Sequence, residues 1–276
     1  LLFVPALTSF ALFDSHSFVM TLVAFLAFCF AASSGYILND LVDKSADQAH
    51  PLKALRPLAS GTITVEMAVM VCGLLLAVAL LIATAVGIEF FGLLIAYLFL
   101  TTTYSLALKR LFLADVVILA TLYVMRVVAG AVAIDIPVSY WLIAFAMPLF
   151  VSLAVIKRCA EVVYIQQIGR ATLPGRAYCS RHLPLLWITG IGSAVIAVVI
   201  FGLFISYAKT VEQYASPNLL FLVAALFTAW LSSLWFAAYR GRMGPDPVVY
   251  VLKKRETLCY VTLMLGLTLV AQLIAI

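Results

Sequence analysis

Charged side chains are scarce in this chain: Asp, Glu, Lys and Arg together make up 11% of its 276 residues, where an ordinary soluble domain carries roughly a quarter. That scarcity excludes a soluble globular domain, and no nucleic-acid partner is expected. Histidine is nearly absent, and His16, His50 and His182 lack the spacing of metal ligands; only His50, just beyond an acidic motif, is a candidate contact. Cys29, Cys72, Cys159, Cys179 and Cys259 contain no CxxC pair, which points away from disulfides and zinc alike. Linkers, low-complexity runs and a basic leader are also missing, so a single domain over 1–276 is expected. The apolar run 1 to 13 is too short to span a bilayer, and it reads as the remainder of a helix that begins upstream or follows a further domain.

What is abundant is apolar length. The chain is 66% hydrophobic with a mean hydropathy of +1.17. A transmembrane helix needs roughly 20 apolar residues, and such stretches occur near 17 to 38, 65 to 86, 89 to 108, 113 to 134, 138 to 156, 183 to 207, 217 to 238 and 257 to 276. With the partial helix at the start, the expectation is an all-α, polytopic membrane protein of nine helices. Of its 17 Lys and Arg residues, all but Arg126 and Lys209 fall in or beside alternate connections. The positive-inside rule makes those connections cytoplasmic and places the N-terminus inside. The expected location is the inner (plasma) membrane, with the working surface facing the cytoplasm.

Against that apolar background, residues 39 to 47 read Asn39-Asp40-Leu41-Val42-Asp43-Lys44-Ser45-Ala46-Asp47. If the preceding helix continues through them, the i, i+3, i+7 spacing puts Asp40, Asp43 and Asp47 on one face. Like charges so placed resist ionisation unless a cation neutralises them. The bland reading is a solvated helix end, but membrane-edge carboxylates without a partner cost several kcal/mol. Hard oxygen ligands suit Mg2+, which takes one or two carboxylates and completes its shell with water and substrate phosphates. The motif therefore points to metal-dependent diphosphate chemistry at a membrane surface, with Asp40, Asp43 and Asp47 as metal ligands and Asn39 beside them as a substrate contact.

Bases follow at useful places. Lys53 and Arg56, just past the acidic motif, can mark topology or grip phosphate oxygens, Arg through its bidentate fork and Lys as a point charge. Tyr104 and Lys109 close the fourth helix, either as an interfacial aromatic and a topology signal or as substrate contacts. Arg126 lies in mid-helix, where an Arg normally faces the bundle interior and meets an anion; the options are a structural pair with an Asp or contact with substrate. Lys157, Arg158 and Glu161 end the sixth helix. Lys157 and Glu161, four apart, can form an ordinary salt bridge. Alternatively the bases bind phosphate while Glu161 accepts a sugar hydroxyl or a metal-bound water.

The NDxxDxxxD pattern at 39 to 47, YSxxLK at 104 to 109 and the nine helices resemble the UbiA superfamily of membrane prenyltransferases over essentially the whole chain. The resemblance implies nine helices around a central cavity, with a diphosphate held by Mg2+ between two acidic motifs. The second motif, DxxxD, is replaced here by Lys157-Arg158-Cys159-Ala160-Glu161. That replacement, with HPxKxxRPxxSG at 50 to 61 and MRVVAGA at 125 to 131, looks most like the decaprenyl-phosphate phosphoribosyltransferase branch, although Gln48 stands where that branch often has Arg. The implied substrates are phosphoribosyl pyrophosphate and a polyprenyl phosphate, a lipid of cell-envelope biosynthesis. The implied catalytic set is Asp40, Asp43, Asp47 and Glu161. Lys53, Arg56, Lys157 and Arg158 would bind the donor's phosphates, and Lys109 and Arg126 the acceptor's. The rival readings are prenyl transfer from a polyprenyl diphosphate and, from another class, transport of an anionic solute around Arg126.

Overall fold

The computed structural model describes residues 1–9, 11–48, 53–167, 169, 178–207, 210–211, 214–243, 250–251 and 253–274. Its regular structure is helical: α1 Phe3–Thr8, α2 Ser15–Gln48, α3 Val65–Val86, α4 Ile88–Leu106, α5 Ala114–Ala133, α6 Tyr140–Gln167, α7 Leu183–Ile205, α8 Leu219–Tyr239 and α9 Arg255–Leu273. Among the described residues, 8 helices, α2 to α9, are long and apolar enough to cross a membrane. The initial segment is, as its length implied, too short to do so: α1 has six residues and is followed by a 3-10 turn at Ala11–Phe13. Contacts divide the chain into two compact units, one over Leu1–Ser139 and one over Tyr140–Leu173 and Tyr178–Ile276.

In the first unit, α2 is the axis. Its Ala24, Ala27, Phe28 and Ala31 are buried at the i, i+3, i+4, i+7 spacing of one helical face. Small residues let α3 and α4 approach, and the Phe28 ring fills the remaining space, 5.8 Å from Phe90 and 4.9 Å from Tyr97. One turn further, Ser34 Oγ donates to the Cys72 carbonyl of α3 at 3.1 Å. The run Ala31-Ala32-Ser33-Ser34-Gly35 thus packs closely beneath the acidic motif, with a Cβ at Gly35 falling 3.1 Å from Thr101. Gly130 of α5 makes room for α1: a Cβ there would lie 2.0 Å from the Leu2 carbonyl oxygen, so no other residue fits without displacing that backbone.

The length of α2 matters most for function. Its 34 residues make a rod of roughly 51 Å at 1.5 Å per residue, against a hydrocarbon core of roughly 30 Å. Helix therefore continues through the acidic motif to Gln48, and the last turns stand beyond the apolar span. α3 then starts at a conventional cap, Thr64 Oγ1 accepting from the Met67 amide at 3.2 Å, with Glu66 in the first turn, both favourable to the exposed amides and the positive end of the helix dipole.

In the second unit, α6 packs along α7, and α8 packs on α6, α7 and α9. The Trp235 indole of α8 donates to Ser152 Oγ of α6 at 3.1 Å, both buried. Two tryptophans, Trp187 and Trp235, meet at 5.4 Å, and Trp141 lies 5.5 Å from Tyr207, so these aromatic residues pack inside this unit. The sixth helix differs from the sequence reading. It was expected to end with Lys157, Arg158 and Glu161, but it runs to Gln167, because charge ends an apolar stretch without breaking backbone hydrogen bonds. Residues 162 to 167 thus continue the helix beyond that trio.

Candidate active site

The helical register of α2 brings Asp40, Asp43 and Asp47 onto one face, and two bases come to them from different elements of the first unit. The segment after α2 turns back through a 3-10 turn at Lys53–Leu55 and is held by Gln48 Nε2 donating to the Ala59 carbonyl at 3.1 Å. This places Arg56 against the motif: its Nη1 donates to Asp40 Oδ1 and to Asp47 Oδ2, each at 2.8 Å. A single nitrogen bridges two carboxylates. The Asp47 side chain is 5% exposed and that of Arg56 38%, so the carboxylate is fixed while the base reaches in from the surface.

The second base comes from the α4–α5 connection. After α4 ends, a 3-10 turn at Leu108–Arg110 and a left-handed residue, Leu113 at φ 60, reverse the chain into α5. A non-glycine residue in that conformation costs of order 1 kcal/mol or more, and here it lies in the turn that aims Lys109 inward. Lys109 Nζ donates to both oxygens of Asp43, at 2.6 and 2.7 Å, and to Asn39 Oδ1 at 3.1 Å. It is 6% exposed, and Asp115 at the start of α5 is fully buried. Asn39, Asp40, Asp43, Asp47, Arg56 and Lys109 thus form one acid–base cluster, in which the two bases assigned from the sequence to phosphate meet the carboxylates instead. Among the described residues, no three His, Cys, Asp or Glu side chains come together as a metal cage; the three carboxylates are instead tied to two bases. The Lys53 side chain and His50 lie outside the described residues, and Tyr104 is partly buried near the end of α4.

Arg126 stands apart from this cluster, and its partners differ from those expected. Its Nη2 donates to the Tyr97 hydroxyl at 2.7 Å, and its guanidinium carbon lies 5.5 and 5.2 Å from the Tyr97 and Tyr123 ring centres. No carboxylate pairs with it among the described residues, which removes the structural Asp pair and leaves a half-buried cation held by aromatic faces and one hydroxyl. Such a guanidinium remains able to take an anion. Tyr97 and Tyr123 went unnoticed in the sequence because each sits in an apolar run where a Tyr reads as filling.

In the second unit, the α6 trio contains a pair that the sequence reading did not name. The fully buried Arg158 donates through Nη1 to Glu161 Oε2, an i, i+3 bond. Lys157 is partly exposed on the same helix.

These features define a helical membrane protein with an oxygen-rich acid cluster whose carboxylates are paired with Arg56 and Lys109. The chain matches the UbiA prenyltransferase family over residues 2–247 and belongs to it, and its long apolar helices make it an integral, multi-pass membrane protein. Among curated relatives, it is 34% identical over 258 residues to an uncharacterised protein, y4nM, of Sinorhizobium fredii, covering 93% of this chain and 50% of that one. It is 32% identical over 246 residues to nodulation protein NoeC of Azorhizobium caulinodans, covering 89% and 80%. To a decaprenyl-phosphate phosphoribosyltransferase of Mycolicibacterium smegmatis it is 35% identical over 184 residues, covering 66% and 56%. The chain therefore spans about half the length of the first and third of these relatives. A UbiA homologue from Archaeoglobus fulgidus, solved with GPP and Mg2+, shares the fold at a TM-score of 0.68 and 16% identity, covering 91% of this chain and 86% of that one.

Proposed function

We propose that the protein transfers 5-phosphoribose from phosphoribosyl pyrophosphate to a polyprenyl phosphate, releasing pyrophosphate and leaving polyprenyl-phosphoryl-5-phosphoribose in the membrane. The observation that carries this reading is the chemistry at 157 to 161, where a second acidic motif gives way to Lys157, Arg158 and Glu161, with Arg158 buried against Glu161. A second metal-binding carboxylate pair suits a prenyl diphosphate; added bases suit a donor that carries one more phosphate. The likeness to phosphoribosyltransferases of this branch supports the same choice.

Asp40, Asp43 and Asp47 offer the hard carboxylate oxygens that Mg2+ prefers; paired with Arg56 and Lys109 in the structure, they would hold the metal once those bases turn away, and a metal bound there would neutralise the pyrophosphate leaving group. Arg56 and Lys53 are assigned to the donor's phosphates, Lys157 and Arg158 to the same class of contact, and Asn39 and Tyr104 to its polar edge. The bond from the anomeric carbon to the diphosphate oxygen breaks, and pyrophosphate leaves with the electron pair. A phosphate oxygen of the lipid forms the new bond to that carbon. Positive charge develops on the sugar in an oxocarbenium-like transition state, as in other glycosyl transfers, and a carboxylate such as Asp47 or Glu161 stabilises it electrostatically. The acceptor phosphate is anionic near neutral pH, so Arg126 and Lys109 orient it and no general base is required. With the basic connections on the cytoplasmic side of the inner membrane, the soluble donor arrives from water and the acceptor from the bilayer.

The solved relative bound to GPP favours a second reading, prenyl transfer from a polyprenyl diphosphate to an aromatic or lipid acceptor. One experiment separates them. Purified protein with Mg2+ is supplied with phosphoribosyl pyrophosphate and a polyprenyl phosphate, and in parallel with a polyprenyl diphosphate and an aromatic acid; pyrophosphate release and lipid mass are recorded. A metal-dependent phosphoribosyl lipid is expected. A prenylated aromatic in its place would overturn the proposal.

A further inference from the structure

The acid cluster is not poised to receive a bare metal ion. Arg56 Nη1 lies 2.8 Å from Asp40 Oδ1 and 2.8 Å from Asp47 Oδ2, bridging two carboxylates as a divalent cation does. Lys109 holds both oxygens of the single carboxylate Asp43 and the amide oxygen of Asn39, at 2.6 to 3.1 Å. We infer that Arg56 and Lys109 are resident counter-ions, placeholders that must be exchanged, so that this site binds divalent metal and diphosphate cooperatively and binds either alone poorly. The inference rests on the metal–diphosphate reading of the site and specifies how it is loaded.

Charge and geometry together require the exchange. A divalent ion entering alone would compete with a base for the same oxygens and leave that base beside a dication, stripped of its anion; at short range within a protein that repulsion is large. A diphosphate entering alone would meet three carboxylates. When the two arrive together, the carboxylates turn to the metal, Arg56 turns to the diphosphate, and Lys109 holds a diphosphate oxygen until the acceptor phosphate reaches it, so every charge keeps a partner. Arg56 is suited to this exchange: its side chain is 38% exposed and reaches in from a surface segment, while Asp47 stays fixed at 5%. Coupling between two ligands is reciprocal and of order 5- to 150-fold in typical cases.

The test is metal binding rather than turnover. Mn2+ serves as the spectroscopic probe, titrated into the purified protein and followed by electron paramagnetic resonance, alone and with inorganic pyrophosphate, with the Mn–pyrophosphate formed in bulk solution subtracted. In the wild type, pyrophosphate should tighten Mn2+ binding about tenfold or more. In Arg56→Gln, Mn2+ alone should bind about tenfold more tightly than in the wild type, and the enhancement by pyrophosphate should nearly vanish. Unchanged or weaker binding of Mn2+ alone in that variant overturns the inference, as does full retention of the enhancement. Should Arg56→Gln not elute as a folded species, Lys109→Gln probes the same exchange at Asp43, with the same expected signs. Repeating the titration with phosphoribosyl pyrophosphate and with geranyl diphosphate separates the loading of the site from the choice of donor. Coupling to geranyl diphosphate alone leaves the exchange standing and defeats the phosphoribosyl reading; coupling to no diphosphate defeats the exchange, while the lipid-product assay still decides the reaction.

Discussion

Replacing Tyr97 by Phe removes a single oxygen from the surroundings of Arg126, and its consequence can be worked out in advance. The ring is 2% exposed and packs 4.9 Å from Phe28, contacts that Phe preserves. What is lost is the 2.7 Å bond from Arg126 Nη2 to the hydroxyl. A hydrogen bond to a charged group contributes about 1.5–3 kcal/mol, and about 1.4 kcal/mol is a factor of ten in affinity. Because the guanidinium carries no carboxylate to hold it among the described residues, freeing one edge lets it leave the position in which it orients the acceptor phosphate. Tyr97→Phe is therefore expected to raise KM for the polyprenyl phosphate about tenfold, with kcat nearly unchanged, the pattern of a contact made equally in ground and transition states. The stability read by thermal unfolding should fall by no more than about 3 kcal/mol. The assay is initial rate against lipid concentration in vesicles at saturating donor. A KM within twofold of wild type, or a loss confined to kcat, would refute the idea that Tyr97 positions Arg126 for the acceptor.

Other outcomes follow from single contacts. Asp40→Ala should abolish turnover under either transferase reading, measured as pyrophosphate release, and an active variant would remove this carboxylate from metal binding. Glu161→Gln takes the carboxylate from a fully buried Arg158 and should lower stability by about 3 kcal/mol, read by thermal unfolding; a normal phosphoribosyl rate in Glu161→Ala and Lys157→Ala alike would reduce that pair to a structural role. Gly190→Ala puts a Cβ 2.2 Å from the Trp235 ring and 2.7 Å from Val155, and this overpacking should cost about 1–3 kcal/mol despite the gain of about 1 kcal/mol in helix propensity. Chelation by EDTA should stop turnover, and Mg2+ should restore it.

Much of the architecture was legible because a bilayer demands long apolar segments, and their positions in the sequence matched α2 to α9 to within a few residues at most ends. The acid cluster was legible too, since helical spacing alone places Asp40, Asp43 and Asp47 together. Arg56 and Lys109 were singled out as phosphate contacts and not as partners of these carboxylates: which oxygen each meets depends on two reversals of the chain, one between Gln48 and Ala59 and one at Leu113, that no periodicity announces. The end of α6 was misjudged because a charged residue terminates hydropathy and not helix. Tyr97 and Tyr123 stayed hidden for the opposite reason, being apolar enough to merge with their helices. Arg158 was assigned to phosphate without its bond to Glu161, because i+3 and i+4 neighbours are equally open until a side chain is placed.

The length of α2 has a mechanical consequence. From Thr21 to Gly35 the helix is held by packing, and the acid cluster rides on the stretch from Gly35 to Asp47, a lever of roughly 18 Å. Helices answer a thicker or thinner bilayer by changing tilt, and five degrees at Gly35 moves the tip by about 1.6 Å, enough to lengthen the hydrogen bonds that order the cluster past their working range. Acyl-chain length in the host membrane thus becomes a setting of the reaction centre, and a protein reconstituted in the wrong lipid would keep every residue it needs and hold them out of register.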